Sequence, residues 1–133
     1  VIPGMIVRMH KNKLNKNEKF TIWGSGNPLR EFLYVDDLSD AVEFLMDKSW
    51  DYDILNVGSG EEVSINDLAR KLQKIIKFDC EFDYDKSKPD GNPRKLIDST
   101  LIQNLGWKSK VDIDNGLEKT YSWYVKNLET IRN

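Results

Sequence analysis

REFLYVDDLSDAVEFL, residues 30–45, changes its period halfway along. The first half carries a continuous apolar run, Phe32, Leu33, Tyr34 and Val35, which reads as a short strand. Asp36 and Asp37 stop that run and offer a helix cap; Leu38, Ala41, Val42 and Leu45 then recur at helical spacing. A strand that passes within a few residues into an amphipathic helix is a unit of α/β architecture.

The same alternation extends in both directions. Upstream, Pro3 stands where a first helical turn accepts proline, and Ile2, Met5, Ile6 and Met9 share one helical face. Residues 20–23 alternate like a strand, and Gly24, Ser25, Gly26, Asn27 and Pro28 follow as a loop. Downstream, residues 54–57 read as a short apolar strand closed by Gly58 and Gly60. Ser64 with Asp67 three residues on forms a capping arrangement for a helix bearing Ile65, Leu68, Leu72, Ile75 and Ile76. Residues 80–84 form a further strand. A short helix follows Asp98 and ends at Gly106, and a last helix starts near Asp112 with Ile113, Leu117, Tyr121 and Tyr124 on one side. Between them, DKSKPDGNPRK (residues 85–95) is polar and long for a mere connection, which raises its odds of carrying function.

Composition narrows the function classes. The chain has 133 residues, enough to bury a core without disulfide staples, which are usually needed only below roughly 40 residues. Twenty basic against twenty-two acidic side chains leave a net charge of −2, so bulk electrostatics give no push toward nucleic acid or an anionic membrane. The lysine-rich segment after Met9 lacks interleaved aromatics and reads as a solvated helix end. One cysteine, Cys80, excludes a disulfide framework and fits a reducing cytoplasm; with one histidine, His10, it makes a zinc site improbable. No apolar run approaches the ~20 residues that span a bilayer. The chain opens on Val1 without a methionine, so a fragment or a processed chain is expected.

Phosphate recognition is the chemical theme with most support. A P-loop is missing, as is a G-x-G-x-x-G turn between strand and helix; the two G-S-G triplets, at 24–26 and 58–60, read as turns, and Glu61 and Glu62 beside the second would repel a pyrophosphate. Cations at loop edges are better candidates: Arg8, Arg30, Arg94 and Lys95. Asp90 could accept hydrogen bonds from a ribose or base edge, and Trp23 could stack on a ring. Each has a plainer alternative: Arg30 pairing with Glu31 or Asp37, Trp23 in the core, Asp90-Gly91 as a turn. Tyr84 and Lys88 match a Y-x-x-x-K spacing, but that pair works on a helix, and Pro89 biases Lys88 away from one. His10 and Cys80 read as structural.

REFLYVDD (30–37), LNVGSG (55–60) and LGW (105–107) resemble the extended short-chain dehydrogenase/reductase family of sugar-nucleotide epimerases and dehydratases. SKPDGNPRK (87–95), with VIPGMIVRMH (1–10) and FTIWGSGNP (20–28), is similar to the branch of that family acting on GDP-sugars. The resemblance implies an α/β fold of short strands alternating with helices, namely the C-terminal substrate-binding portion of a larger enzyme. Residues 1–133 would be a single unit, and the N-terminal Rossmann domain that binds NADP(H) would lie outside it. No catalytic residue is expected within the chain, because the family's acid/base histidine precedes the stretch matching VIPG. By the same resemblance, Arg8 contacts the GDP-sugar, Trp23 borders the substrate pocket, Arg30 meets the nucleotide phosphates, Asp90 contacts substrate, and Lys95 is a neighbouring basic position. Asp36 and Asp37 read as strand-end and helix-cap structure. The implied parent reaction is epimerisation at C3 and C5 of GDP-4-keto-6-deoxymannose followed by NADPH-dependent reduction at C4. The parent would be a cytoplasmic homodimer with neither nucleic acid nor membrane as partner. The fragment alone would bind no NADP(H) and be inactive. The alternatives are a related enzyme acting on another GDP-sugar, such as a GDP-heptose, or a non-enzymatic nucleotide-sugar-binding domain on the same scaffold.

Overall fold

A computed structural model describes residues 1–49 and 52–131. The elements run α1 (Ile2–Leu14), β1 (Lys19–Trp23), β2 (Leu29–Glu31), α2 (Val35–Met46), β3 (Glu62–Ser64), α3 (Ile65–Ile76), β4 (Glu81–Asp85), β5 (Arg94–Lys95), α4 (Thr100–Asn104) and α5 (Ile113–Lys126).

The helices form where the apolar periodicity runs, with a side-chain cap at the start of α3 and of α5. In α1 proline occupies the first turn, and Met5, Ile6 and Met9 are buried on one side. Ser64 caps α3: its hydroxyl accepts the Asp67 N–H at 3.0 Å, while Leu68, Ala69, Leu72 and Ile76 turn inward. The carbonyl of Ile76, at the other end of α3, accepts the Lys13 ammonium at 2.7 Å, so one lysine of the basic segment satisfies a helix C-terminus. Asp112 caps α5 by accepting the Asn115 N–H at 2.9 Å.

Two small sheets result. β1 and β4 pair in parallel, Lys19 opposite Glu81 through Trp23 opposite Asp85. β2 is central in the other sheet, antiparallel to β3 and parallel to β5. Phe20 and Ile22 of β1 point into a core with Met5, Ile6, Met9, Leu68, Leu72, Ile76 and Leu117. A separate, smaller cluster holds Ala41, Ile102 and Trp107. Among the described residues no helix is long and apolar enough to cross a membrane.

Four expectations need correction. Residues 32–35 are not a strand: the ladder ends at Glu31, residues 32–34 are an extended link, and α2 begins at Val35. Phe32 packs on the first core and Leu33 on the second cluster, so the apolar run bridges two cores rather than joining a sheet. Segment 54–57 pairs with no strand among the described residues, and the ladder forms later, at Glu62–Ser64. Asp36 and Asp37 are not caps, since the cap position falls on Tyr34; both sit in the first helical turn. Asp37 is buried there, and its Oδ2 accepts the N–H groups of Lys110 and Val111 at 3.1 and 3.0 Å. The polar 85–95 stretch also contains β5, which the turn-forming composition concealed.

Candidate functional site

A cleft of about 640 Å³ lies where the first turns of α1 face the end of β1, the strand β2 and the 85–93 loop. Its polar wall consists of Arg8, Trp23, Arg30 and Asp90; Pro3 and Val7 belong to its apolar wall. Four of the five substrate residues expected from the sequence therefore converge. Lys95 does not line the cleft: it stands on β5 directly beside Arg30, its register partner on β2.

Strand parity explains Trp23. Phe20 and Ile22 point inward, so Trp23 falls on the outer face, with 59% of its surface exposed. Its ring carries the Arg8 guanidinium 4.5 Å from the centroid, and the same guanidinium lies 4.8 Å from the Phe20 ring. Arg8 Nη1 donates to the Thr21 carbonyl at 3.0 Å, and burial lowers the pKa of this arginine from its ordinary value. Arg8 is thus a preoriented cation with its edge toward the cleft.

Arg30 forms neither of the ion pairs considered from the sequence. Its Nη1 donates to the neighbouring Leu29 carbonyl at 2.7 Å, and its Nη2 reaches the Asp90 carbonyl at 3.4 Å. Arg94, by contrast, is committed: its Nε and Nη2 grip the Glu62 carboxylate at 2.7–2.9 Å, which raises the arginine pKa and lowers that of the glutamate.

Asp90 is fixed by Ser25, a residue whose sequence context suggests only a turn. The Ser25 N–H donates to Asp90 Oδ1 at 2.6 Å and the Ser25 hydroxyl to its Oδ2 at 2.7 Å. Those two bonds, the backbone one first, hold the Asp90 carboxyl below the usual range, with Arg30 adding a smaller electrostatic contribution. Gly24 has φ +79°, and a Cβ there would come within 2.2 Å of Asp90 Oδ1, so the turn accepts the aspartate only as glycine. Ser25 and Asp90 are 65 residues apart, and no local signal links them.

The second G-S-G turn is organised the same way. Glu31 accepts the Gly60 N–H at 2.7 Å and the Ile97 N–H at 2.9 Å. Both triplets thus spend N–H groups on carboxylates. Neither turn, with its N–H group held by a carboxylate, suits a dinucleotide pyrophosphate. His10 and Cys80 lie outside the cleft lining. His10 is hydrogen-bonded to Tyr121, and burial raises the pKa of the half-buried Cys80 thiol, the opposite of a reactive cysteine.

Residues 1–58 match the NAD dependent epimerase/dehydratase family. The chain is 50% identical over 128 residues to probable GDP-L-fucose synthase 1 of Oryza sativa subsp. japonica, an alignment covering 96% of this chain and 39% of the rice protein. It superposes on the GDP-L-fucose synthetase of Naegleria fowleri bound to NADP with a TM-score of 0.93 at 26% identity, over all of this chain and 42% of the other. It also superposes on MlghC, a GDP-mannoheptose C4 reductase of Campylobacter jejuni, with a TM-score of 0.79 at 29% identity, over 93% of this chain and 44% of that one. The chain is similar to members of the NAD dependent epimerase/dehydratase family and shares the mixed α/β fold of the corresponding part of the GDP-L-fucose synthetase it superposes on. It spans about two fifths of the length of the relatives it matches.

Proposed function

We propose that this chain is the C-terminal, GDP-sugar-binding portion of a GDP-L-fucose synthase-like enzyme. The observation that carries this reading is the convergence of Arg8, Trp23, Arg30 and Asp90 on one cleft. Two guanidinium groups on one wall suit a diphosphate, whose charge is spread over paired oxygens. The exposed Trp23 ring borders the sugar-nucleotide, Asp90 offers acceptors for hydroxyl groups, and Lys95 adds positive charge from the adjoining strand.

The parent reaction in this reading is C3/C5 epimerisation and C4 reduction of GDP-4-keto-6-deoxymannose. The 4-keto group acidifies the C–H bonds on either side of it, and an acid/base pair inverts those centres. The acid/base groups and the Rossmann domain belong to the remainder of the enzyme. NADP(H), bound there, supplies the hydride for reduction. The residues of this chain anchor the diphosphate and so place the sugar ring. Because the anchor is the nucleotide diphosphate, a GDP-heptose fits the same wall, and the likeness to MlghC favours that substrate as the second reading.

Hydrogen bonds to charged groups are worth about 1.5–3 kcal/mol. Arg30→Ala in the complete enzyme is therefore expected to weaken GDP-sugar affinity about tenfold or more by calorimetry. Unchanged affinity would refute the diphosphate assignment. The 133-residue chain alone is expected to oxidise no NADPH in the presence of the keto-sugar nucleotide, and turnover by it would overturn the division of labour.

A further inference from the structure

The loop over residues 86–92 is exposed along its whole length, yet its Asp90 lines the cleft. Both ends of the loop are anchored. The Gly24 N–H donates to the Asp85 carbonyl at 2.9 Å, and the Leu29 N–H donates to the Pro93 carbonyl at 2.9 Å. Between those anchors, among the described residues, every hydrogen bond from the loop to another element runs through Asp90. Its carboxylate takes two short bonds from Ser25, and its carbonyl takes the long one from Arg30 Nη2. Gly91 lies against the same guanidinium, since a Cβ there would stand 3.7 Å from Arg30 Nη2. An exposed segment with so few attachments is held in place by those attachments alone.

Ser25 meets the loop from a fixed base. The Ile65 N–H donates to the Pro28 carbonyl at 3.2 Å and the Asn66 N–H to the Gly26 carbonyl at 2.9 Å, so the turn is fastened to the first residues of α3. The Asn27 N–H donates to the Ser25 hydroxyl oxygen at 3.2 Å, which directs the hydroxyl's own proton to Asp90. Ser25 does not itself line the cleft. Arg30 does, and its two hydrogen bonds are unequal. The bond to Leu29 closes on the adjacent residue, whereas the bond to Asp90 depends on where the loop stands. We propose that Ser25 is a positioning residue for the diphosphate: by pinning Asp90 it keeps the 86–92 loop in place and so sets the direction of the Arg30 guanidinium. This rests on the reading of Arg30 as a diphosphate ligand. A guanidinium fork grips two phosphate oxygens when both of its nitrogens are aligned with them, so a shift of the loop reaches the ligand without touching it.

The test uses the complete enzyme. Calorimetry with guanosine diphosphate reads the cleft, and hydrogen exchange of the 86–92 amides in the unliganded protein reads the loop. Ser25→Ala deletes the hydroxyl bond and keeps the backbone one. It is expected to weaken guanosine diphosphate binding about fivefold and to speed loop exchange by about the same factor. Ser25→Thr retains the hydroxyl and is expected to stay within about twofold of the unsubstituted enzyme on both readouts. In an Arg30→Ala background, Ser25→Ala is expected to cost less than about twofold in affinity, because the group it positions is gone. Unchanged affinity in Ser25→Ala would overturn the proposal, as would a threonine variant as weak as the alanine one. An equal loss with and without Arg30 would overturn it too, since that is what a general loosening of the turn produces. The functional reading fails differently. Arg30→Ala binding as tightly as the unsubstituted enzyme would sink the diphosphate assignment and the positioning role together. A loss in Arg30→Ala with none in Ser25→Ala would sink the positioning role alone.

Discussion

Asp36 and Asp37 are neighbours with opposite circumstances. Asp36 is exposed, whereas Asp37 is buried and holds two backbone N–H groups of the 110–111 segment. Removing a buried acceptor strands its donors at about 1–3 kcal/mol. Asp37→Ala is therefore expected to cost about 2 kcal/mol or more in denaturant unfolding, and Asp36→Ala less than about 0.5 kcal/mol. Equal costs would refute the assignment. Nothing local in the sequence separates the pair, because the partner lies 73 residues downstream. The cleft residues were legible for the opposite reason: a cation or ring at a loop edge announces itself, and the motif resemblance singled out the same positions. What stayed hidden was their support, Ser25 beneath Asp90 and Glu31 beneath Gly60 and Ile97. Gly24→Ala tests the first of these. A left-handed residue with a Cβ costs about 1–2 kcal/mol, and the clash with Asp90 adds to it, so both stability and GDP-sugar affinity should fall. An unaffected affinity would separate the Gly24 turn from the cleft.

At the level of elements, α1, α3 and α5 were readable because a start signal agrees with the periodicity along each, proline in the first turn of α1 and a capping side chain in α3 and α5. The extended runs at 32–35 and 54–57 were not, because an apolar run states a preference for extended backbone while pairing depends on a distant partner. Helix α1 carries two tests. A methyl group added at Gly4 would meet nothing within 4 Å, and glycine inside a helix is about 0.5–1 kcal/mol worse than alanine. Gly4→Ala should stabilise the chain by that amount, and a lower melting temperature would show that the cleft wall needs the glycine. His10 Nδ1 sits 3.0 Å from the Tyr121 hydroxyl of α5, and its ring meets Tyr124 edge-on at 5.3 Å. Burial first, and Lys13 second, lower the His10 pKa below its ordinary 6.5. The unfolded chain then binds the proton more readily than the folded one, so stability should decline as pH falls below about 6.5, and His10→Gln should flatten that decline. A slope unchanged in the variant would place the titration elsewhere.

For the whole molecule, two apolar clusters of unequal size imply two levels of local stability. In the 133-residue chain by itself, amides of α2 are expected to exchange at least tenfold faster than those of α3, whose Leu68 and Leu72 lie in the larger core. Matching rates would mean a single cooperative unit. The division was not visible in the sequence, where α2 and α3 both present clean helical patterns. Only packing shows that one has its apolar face enclosed and the other has it half open.

The parallel pairing of β1 with β4 also has a consequence for synthesis. Lys19 must wait for Glu81, and Trp23 for Asp85, before the strand beneath the Arg8 guanidinium has its neighbour. As the polypeptide leaves the ribosome, α1 and β1 emerge ahead of β4 and remain without their sheet until residues 81–85 have followed. During that interval the strand that carries Phe20 and Ile22 lacks its partner, and the cleft is incomplete until Asp90 has been made as well.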